Sequence, residues 1–127
     1  MSEERKKLGQ KGERLAEKFL RRKGYRPIAK NLRRKAGELD LVMWDRDELV
    51  VIEVRTVSTL GNLPAWDRVP PAKRKQVMRV AEMMLTEIPD PLPPVRFDIC
   101  VVVTKPKVEV HHLEDAFRPD GIGFWSA

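Results

Sequence analysis

Residues 37–55 constrain the fold of this chain more than any other stretch. They read Gly-Glu-Leu-Asp-Leu-Val-Met-Trp, then Asp-Arg-Asp-Glu, then Leu-Val-Val-Ile-Glu-Val-Arg. Two apolar, β-prone runs around a short charged break predict a hairpin. Its strands are expected from about Glu38 to Trp44 and from about Leu49 to Arg55, with the turn at Asp45, Arg46 and Asp47. Alternation puts Glu38, Asp40, Val42 and Trp44 on one face of the first strand and Leu39, Leu41 and Met43 on the other. In the second strand it separates Val50, Ile52 and Val54 from Leu49, Val51, Glu53 and Arg55. The near-continuous apolar character of that strand predicts a central position, covered on both sides. Each run nevertheless holds one acid, Asp40 or Glu53, where a plain strand would prefer an apolar residue. A hairpin can bring Asp40 onto the face that carries Glu53 and Arg55. Two carboxylates and a cation would then meet on one patch of sheet.

The hairpin has helical and extended neighbours. Leu8, Leu15, Ala16, Phe19 and Leu20 form one apolar stripe at helical spacing, predicting an amphipathic helix from Glu3 to Lys23. Gly24 follows where a helix ends. Glu13 falls at the border of that stripe. The residues three and four positions away are Gly9, Gln10, Ala16 and Glu17, so no helical ion pair accounts for it. On spacing alone Glu13 reads as a solvated border acid. Tyr25–Leu32 is expected to be an edge strand, where Pro27 is tolerated, and Arg33, Arg34, Lys35 and Ala36 a basic loop. Thr56–Pro71 reads as a long connection rich in Gly and Pro. Trp66 within it fits either a plug at the core's rim or a platform for a base.

A second helix is expected over Ala72–Ile88, with Val77, Val80, Ala81, Met84, Leu85 and Ile88 on its apolar stripe. Lys73, Arg74 and Lys75 crowd its first turn, where cations oppose the helix dipole. They read either as a solvated basic turn or as a site that favours an anion. Strands are expected at Val95–Val103 and Val108–Leu113, with a short helix around Glu114–Phe117. The order α-β-β-β-α-β-β predicts an α/β domain over residues 1–127, with a central mixed sheet of four to five strands flanked by helices. If the third and fourth strands are parallel, the second helix is their crossover.

Composition narrows the function classes. The chain has 127 residues and a net charge of +6. Residues 1–36 hold 14 Lys and Arg against 4 Asp and Glu, while the other 91 residues hold 11 against 15. A strongly basic amino-terminal third on a mildly acidic body points to an oriented contact with a polyanion. No apolar run approaches the roughly 20 residues needed to span a bilayer, and no apolar leader follows the amino terminus. The lone Cys100 lies in an apolar run, as a buried structural thiol would, and a reducing cytoplasmic setting is the expectation. His111 and His112 are adjacent and should point to opposite faces of a strand, which makes them a poor metal pair. No Cys/His cluster has zinc spacing, and there is no Gly-rich phosphate loop.

Asp40 and Glu53 are the residue types that phosphodiester hydrolysis requires. A divalent cation held by carboxylates neutralises the phosphate and activates a water, provided positions on the ion stay open. Hard oxygen ligands select Mg2+ or Mn2+. Asp40 and Glu53 would be the ligands, the Val54 carbonyl could add a third, and Arg55 would orient the water or stabilise the developing charge. The competing reading is a surface ion pair of Asp40 or Glu53 with Arg55.

Further motifs carry a resemblance. They are Gly12-Glu13-x-x-Ala16, Gly24-Tyr25, Asn31, Gly37-Glu38-Leu39-Asp40-Leu41, Val51-Ile52-Glu53-Val54-Arg55, Arg96-Phe97-Asp98 and Leu113…Ala116-Phe117. Through them the chain resembles the YraN-like family of predicted endonucleases, whose restriction-endonuclease-like fold is shared with archaeal Holliday-junction resolvases. The resemblance spans nearly the whole chain. It implies that Asp40 and Glu53 hold the metal and that Glu13 reaches the same site from the first helix. The carboxylate constellation beside a basic helix makes DNA, branched or damaged, the expected substrate; the clustered charges make Arg33, Arg34, Lys35, Lys73 and Arg74 the expected nucleic-acid contacts, and a homodimer is compatible with the fold. The motif of this fold normally ends in Lys, whereas this chain has Arg55, and a guanidinium is a poor proton relay. Three functions follow as expectations. The first is a Mg2+-dependent endodeoxyribonuclease. The second is a non-catalytic nucleic-acid-binding module on a degenerate nuclease fold. The third is a partner-binding domain that uses the Thr56–Pro71 loop and Phe124-Trp125.

Overall fold

The computed structural model describes residues 3–59 and 69–117. The elements follow the order α1 (Glu3–Arg22), β1 (Arg26–Arg34), β2 (Gly37–Asp45), β3 (Glu48–Val57), α2 (Pro71–Leu85), β4 (Val95–Val103) and β5 (Glu109–Phe117). The strands form one sheet in the order β1-β2-β3-β4-β5. All neighbours are antiparallel except β3 and β4, which are parallel and joined through α2. The expected α/β architecture is therefore present, with five strands. Trp66, Phe124 and Trp125 lie outside the described residues. Among the described residues, no helix is long and apolar enough to cross a membrane.

Each face of the sheet is sealed by one helix. Ala16 and Leu20 of α1 pack with Tyr25, Leu41, Met43, Val50, Ile52, Cys100 and Val102. On the opposite face Val77, Val80, Ala81, Met84 and Leu85 of α2 pack with Leu39, Val42, Leu49, Val51, Phe97, Ile99 and Val101. Full burial of one such aliphatic side chain is worth about 1.5–3 kcal/mol, so β3, apolar on both faces, is the centre of stability as well as of the sheet. Burial also pushes the Cys100 thiol up to about 12, as suits an inert core residue.

Helix α1 ends at the expected glycine. Gly24 has φ +100°, its N–H donates to Arg21 O, and the Tyr25 N–H donates to Leu20 O. The hairpin turn is as tight as the sequence indicates, with Arg46 at φ 56° and Asp45 opposite Glu48.

Four expectations are corrected. β1 runs on through Arg33 and Arg34, which pair with Glu38 and Gly37, so the basic loop shrinks to its last residues. α2 ends at Leu85, short of Ile88. Residues 114–117 extend β5 instead of forming a helix, because Phe117 pairs with Phe97 and stacks on its ring at 5.1 Å. Leu39 and Leu41 do not share a face: Leu39 belongs to the α2 side and Leu41 to the α1 side. Alternation slips at Asp40, opposite the point where Asn31 adopts the left-handed φ of 52°.

Candidate active site at the β2–β3 hairpin

The slip at Asp40 turns its carboxylate toward β3. Asp40 Oδ2 accepts the Val54 N–H at 2.9 Å. Glu53, only 9 % exposed, lies beside it, close enough for each carboxyl to act on the other. Burial is the largest influence on both acids and raises both. For Glu53, the Asp40 charge adds to it and pushes the carboxyl up to about 8. For Asp40, the hydrogen bond from the Val54 N–H and the neighbouring Glu53 carboxyl oppose burial without cancelling it. Two carboxylates in one partly desolvated place cannot both ionise freely, so the pair holds a proton near neutral pH.

Glu13 joins the pair from α1. Its carboxyl is raised first by burial and then by the nearby Asp40 charge. The spacing-only reading of Glu13 as an ordinary solvated border acid therefore gives way: the close packing of α1 on β3 moves it toward Asp40. Gly12 makes that packing fit, since a Cβ there would lie 1.8 Å from Thr56 Oγ1. In the amide orientation that turns its donors toward acceptors, Asn31 reaches Glu13 Oε1 at 3.2 Å and Glu38 Oε1 at 2.8 Å. Asn31 thus links α1 to β2 across a group of like charges.

The cation on Glu53 is Lys73, whose Nζ is 3.6 Å from Oε1. Lys73 comes from the first turn of α2. It shares with Glu53, Val54 and Arg55 a cleft of about 500 Å³. On the α1 side, Glu13, Val54, Thr56 and Arg5 line a second cleft of about 520 Å³. A third, of about 460 Å³, is lined by Arg33, Arg34, Lys35, Glu38 and again Lys73. Two of its cations are already committed within the fold. Arg33 donates to Glu38 at 3.0 Å, and Arg34 makes a two-pronged contact with Glu87 at 2.7 and 2.7 Å. Arg74 follows Lys73 in the same turn and does not line these clefts.

Among the described residues, no three His, Cys, Asp or Glu side chains converge closely enough to enclose an ion. At the hairpin the closely joined carboxyls are the Asp40–Glu53 pair, which would leave most positions on a bound cation to backbone oxygen, water or substrate.

A second polar cluster lies on the α1 side of the sheet, around a residue to which the sequence assigned no role. Asp98 is fully buried and accepts from Arg96 at 2.9 and 3.1 Å, from His112 Nε2 at 2.8 Å and from the Asp115 N–H at 3.0 Å. Arg96 also reaches Asp45, Glu48 and the Tyr25 hydroxyl. Burial alone would raise the Asp98 carboxyl, but the hydrogen bonds from His112, Arg96 and Asp115 bring it below the usual aspartate value. The signal in the sequence was an acid inside the most apolar strand. Its partners lie 2, 14 and 17 residues away, and only the folded sheet assembles them. This cluster ties β4 to β5 and to the end of α1.

Residues 12–102 match the model of a family described as uncharacterised protein family UPF0102. A UPF0102 protein of Chlorobium phaeobacteroides is 33% identical over 117 residues, covering 87% of this chain and 93% of the relative. One from Syntrophotalea carbinolica is 36% identical over 123 residues, covering 95% and 99%. One from Koribacter versatilis is 38% identical over 118 residues, covering 91% and 82%. With the match running from Gly12 through the hairpin to β4, and with relatives aligned over nearly their whole length, this chain belongs to the UPF0102 family.

Proposed function

We propose that this protein binds nucleic acid, DNA by preference, and hydrolyses its phosphodiester bonds with Mg2+ or Mn2+ held at Asp40 and Glu53. The observation that carries the reading is a half-buried Asp40, fixed by the Val54 N–H, beside the buried Glu53, with the Lys73 ammonium 3.6 Å from Glu53. Two carboxyls crowded into one partly desolvated place repel each other, and a divalent cation between them relieves that repulsion. The donor set is hard oxygen, which fits these ions. When bound, such a cation supplies charge neutralisation at the phosphate and a polarised water.

The chain's own residues do the rest. The Val54 N–H fixes Asp40, so one carboxylate oxygen is oriented before any ligand arrives. The Val54 backbone oxygen is offered as a further ligand. Glu13, raised by burial, accepts or holds a proton beside Asp40. Arg55 and Lys73 line the cleft next to Glu53 and make it attractive to an anionic backbone. The resemblance to restriction-endonuclease-like proteins supports the same assignment, and Lys35 with Lys73 offers a basic approach to the site.

Incubation of the protein with branched and linear DNA in Mg2+ or Mn2+ is the direct test. Cleavage is expected, and Asp40→Asn or Glu53→Gln should reduce it by about 10³-fold or more, as loss of a ligand to the charge-stabilising ion does. Equal cleavage by those variants would sink the proposal.

A second reading rests on Arg55 standing where this fold usually has Lys. It makes the chain a non-catalytic nucleic-acid-binding module. Under it, wild type binds DNA in a salt-dependent manner, Glu53→Gln binds equally well, and neither cleaves.

A further inference from the structure

We infer that Lys73, reaching across from α2, is the catalytic cation that contacts the scissile phosphate, the role that Arg55 on β3 leaves open. The inference rests on the nuclease reading and assigns a part within it.

Lys73 is placed to act without being locked. A fully engaged charge-assisted pair closes to about 2.7–2.9 Å, as Arg34 does with Glu87 at 2.7 Å. Lys73 Nζ stands 3.6 Å from Glu53, and its side chain remains 41 % exposed. Its ammonium therefore has donors to spare toward the cleft. Lys73 also lines both the Glu53 cleft and the basic cleft of Arg33, Arg34 and Lys35. A strand laid from one cleft to the other passes its side chain.

The helix that carries Lys73 favours an anion at that end. Its first turn has Lys73, Arg74 and Lys75 and no acid, and no side chain caps it. The positive end of the dipole is thus uncompensated. The mount is also rigid. Val77, Val80 and Ala81 are buried in the core, and Gln76 Nε2 donates to Ala36 O at 3.2 Å, fastening α2 to the β1–β2 connection. A compact ammonium approaches one phosphate oxygen closely, whereas the planar Arg55 fork spreads its charge over two or more acceptors.

In the step, a water oxygen forms the new bond to phosphorus and loses its proton to solvent. The bridging P–O bond breaks, and its electron pair goes to the departing sugar oxygen, which takes a proton from solvent. Lys73 keeps its own proton throughout and donates a hydrogen bond to a non-bridging phosphate oxygen as negative charge builds there.

The test compares wild type, Lys73→Gln, Lys73→Arg and Arg55→Gln as full chains. Three quantities are read: single-turnover DNA cleavage in Mn2+, DNA affinity without divalent cation, and Mn2+ affinity without DNA. Lys73→Gln should cleave about 10²- to 10³-fold more slowly, the usual cost of losing one such donor. Its Mn2+ affinity should equal or exceed that of wild type, because a cation competing for Glu53 is gone. Lys73→Arg should recover part of the rate, and Arg55→Gln should lose less than Lys73→Gln. A Lys73→Gln protein that loses Mn2+ affinity in step with cleavage would show a lysine that merely props Glu53, and would overturn the inference. Wild-type cleavage with an indifferent Lys73→Gln would remove Lys73 and leave the nuclease reading standing. Absence of cleavage by wild type would remove both.

Discussion

Gly12 and Glu13 illustrate how one residue positions the next. Alanine is the better helix former by roughly 1 kcal/mol, so Gly12→Ala would stabilise an isolated α1. In the folded protein the new methyl would meet Thr56 Oγ1 at 1.8 Å and Thr56 Cβ at 2.9 Å. Overpacking of that kind costs about 1–3 kcal/mol and wins over propensity. Gly12→Ala should therefore lower the urea midpoint, and Thr56→Ala in the same chain should recover part of the loss. A midpoint raised by Gly12→Ala alone would show that α1 does not need its close approach to β3. Because that approach carries Glu13 toward Asp40, the variant should also depress cleavage more than the loss of stability explains.

At the scale of elements, the sheet depends on a second set of charges. Asp98, with Arg96, His112 and the Asp115 N–H, ties β4 to β5 beside the end of α1. Removing one partner from a buried pair costs about 3–5 kcal/mol, so Asp98→Asn should destabilise strongly at pH 7. The pH dependence has a definite sign. The folded-state carboxyl is depressed, so its contribution is present above the unfolded value of about 3.9 and is lost as pH falls through the lower folded value. Denaturant titrations from pH 7 to about pH 2.5 should show wild type and Asp98→Asn converging at the acid end. Parallel curves across that range would remove Asp98 as the source.

The same elements show what was legible in the sequence. The hairpin was, because Asp45-Arg46-Asp47 interrupts two long apolar runs and needs no distant partner to be read. The nearness of Asp40 to Glu53 along the paired strands was legible too, though not the slip that turns the Asp40 carboxylate toward β3. The split of Leu39 from Leu41 was not: it sits opposite Asn31, whose left-handed φ in the neighbouring strand no residue spacing announces. The strand character of residues 114–117 depends on Phe117 finding Phe97. Lys73 was visible only as a cation against the dipole; its contact with Glu53 exists because α2 crosses over β3 on the way to β4.

For the whole molecule, the uneven charge becomes a surface. Arg14, Lys18, Arg21, Arg22 and Lys30 surround a cleft of about 420 Å³ between α1 and β1, in which Glu17 bridges Lys30 at 2.8 Å and Arg21 at 3.4 Å. Much of the +10 of the first 36 residues is thus gathered along one helix and the strand beside it. Under the nucleic-acid reading, affinity should fall steeply with salt. Replacing Arg14, Lys18 and Arg22 together by Gln should flatten the log–log salt dependence by about 0.9 for each phosphate no longer neutralised. Fluorescence anisotropy across a salt series measures it. An unchanged slope would place the nucleic acid elsewhere on the surface.

The left-handed Asn31, which carries the amide between Glu13 and Glu38, also affects self-association. It lies on β1, one of the two outer strands of the sheet among the described residues, along with a register shift between Pro27 and Ala29. At the other margin β5 has Asp115 at φ 54° and faces a register shift in β4. β1 carries exposed Arg26, Lys30 and Arg33, and β5 carries exposed Glu109, Glu114 and Asp115. Two copies meeting β1 to β1 or β5 to β5 would bring like charges together. The conformation that serves the acidic cluster thus also works against pairing of the β1 edge with its own copy in a second molecule.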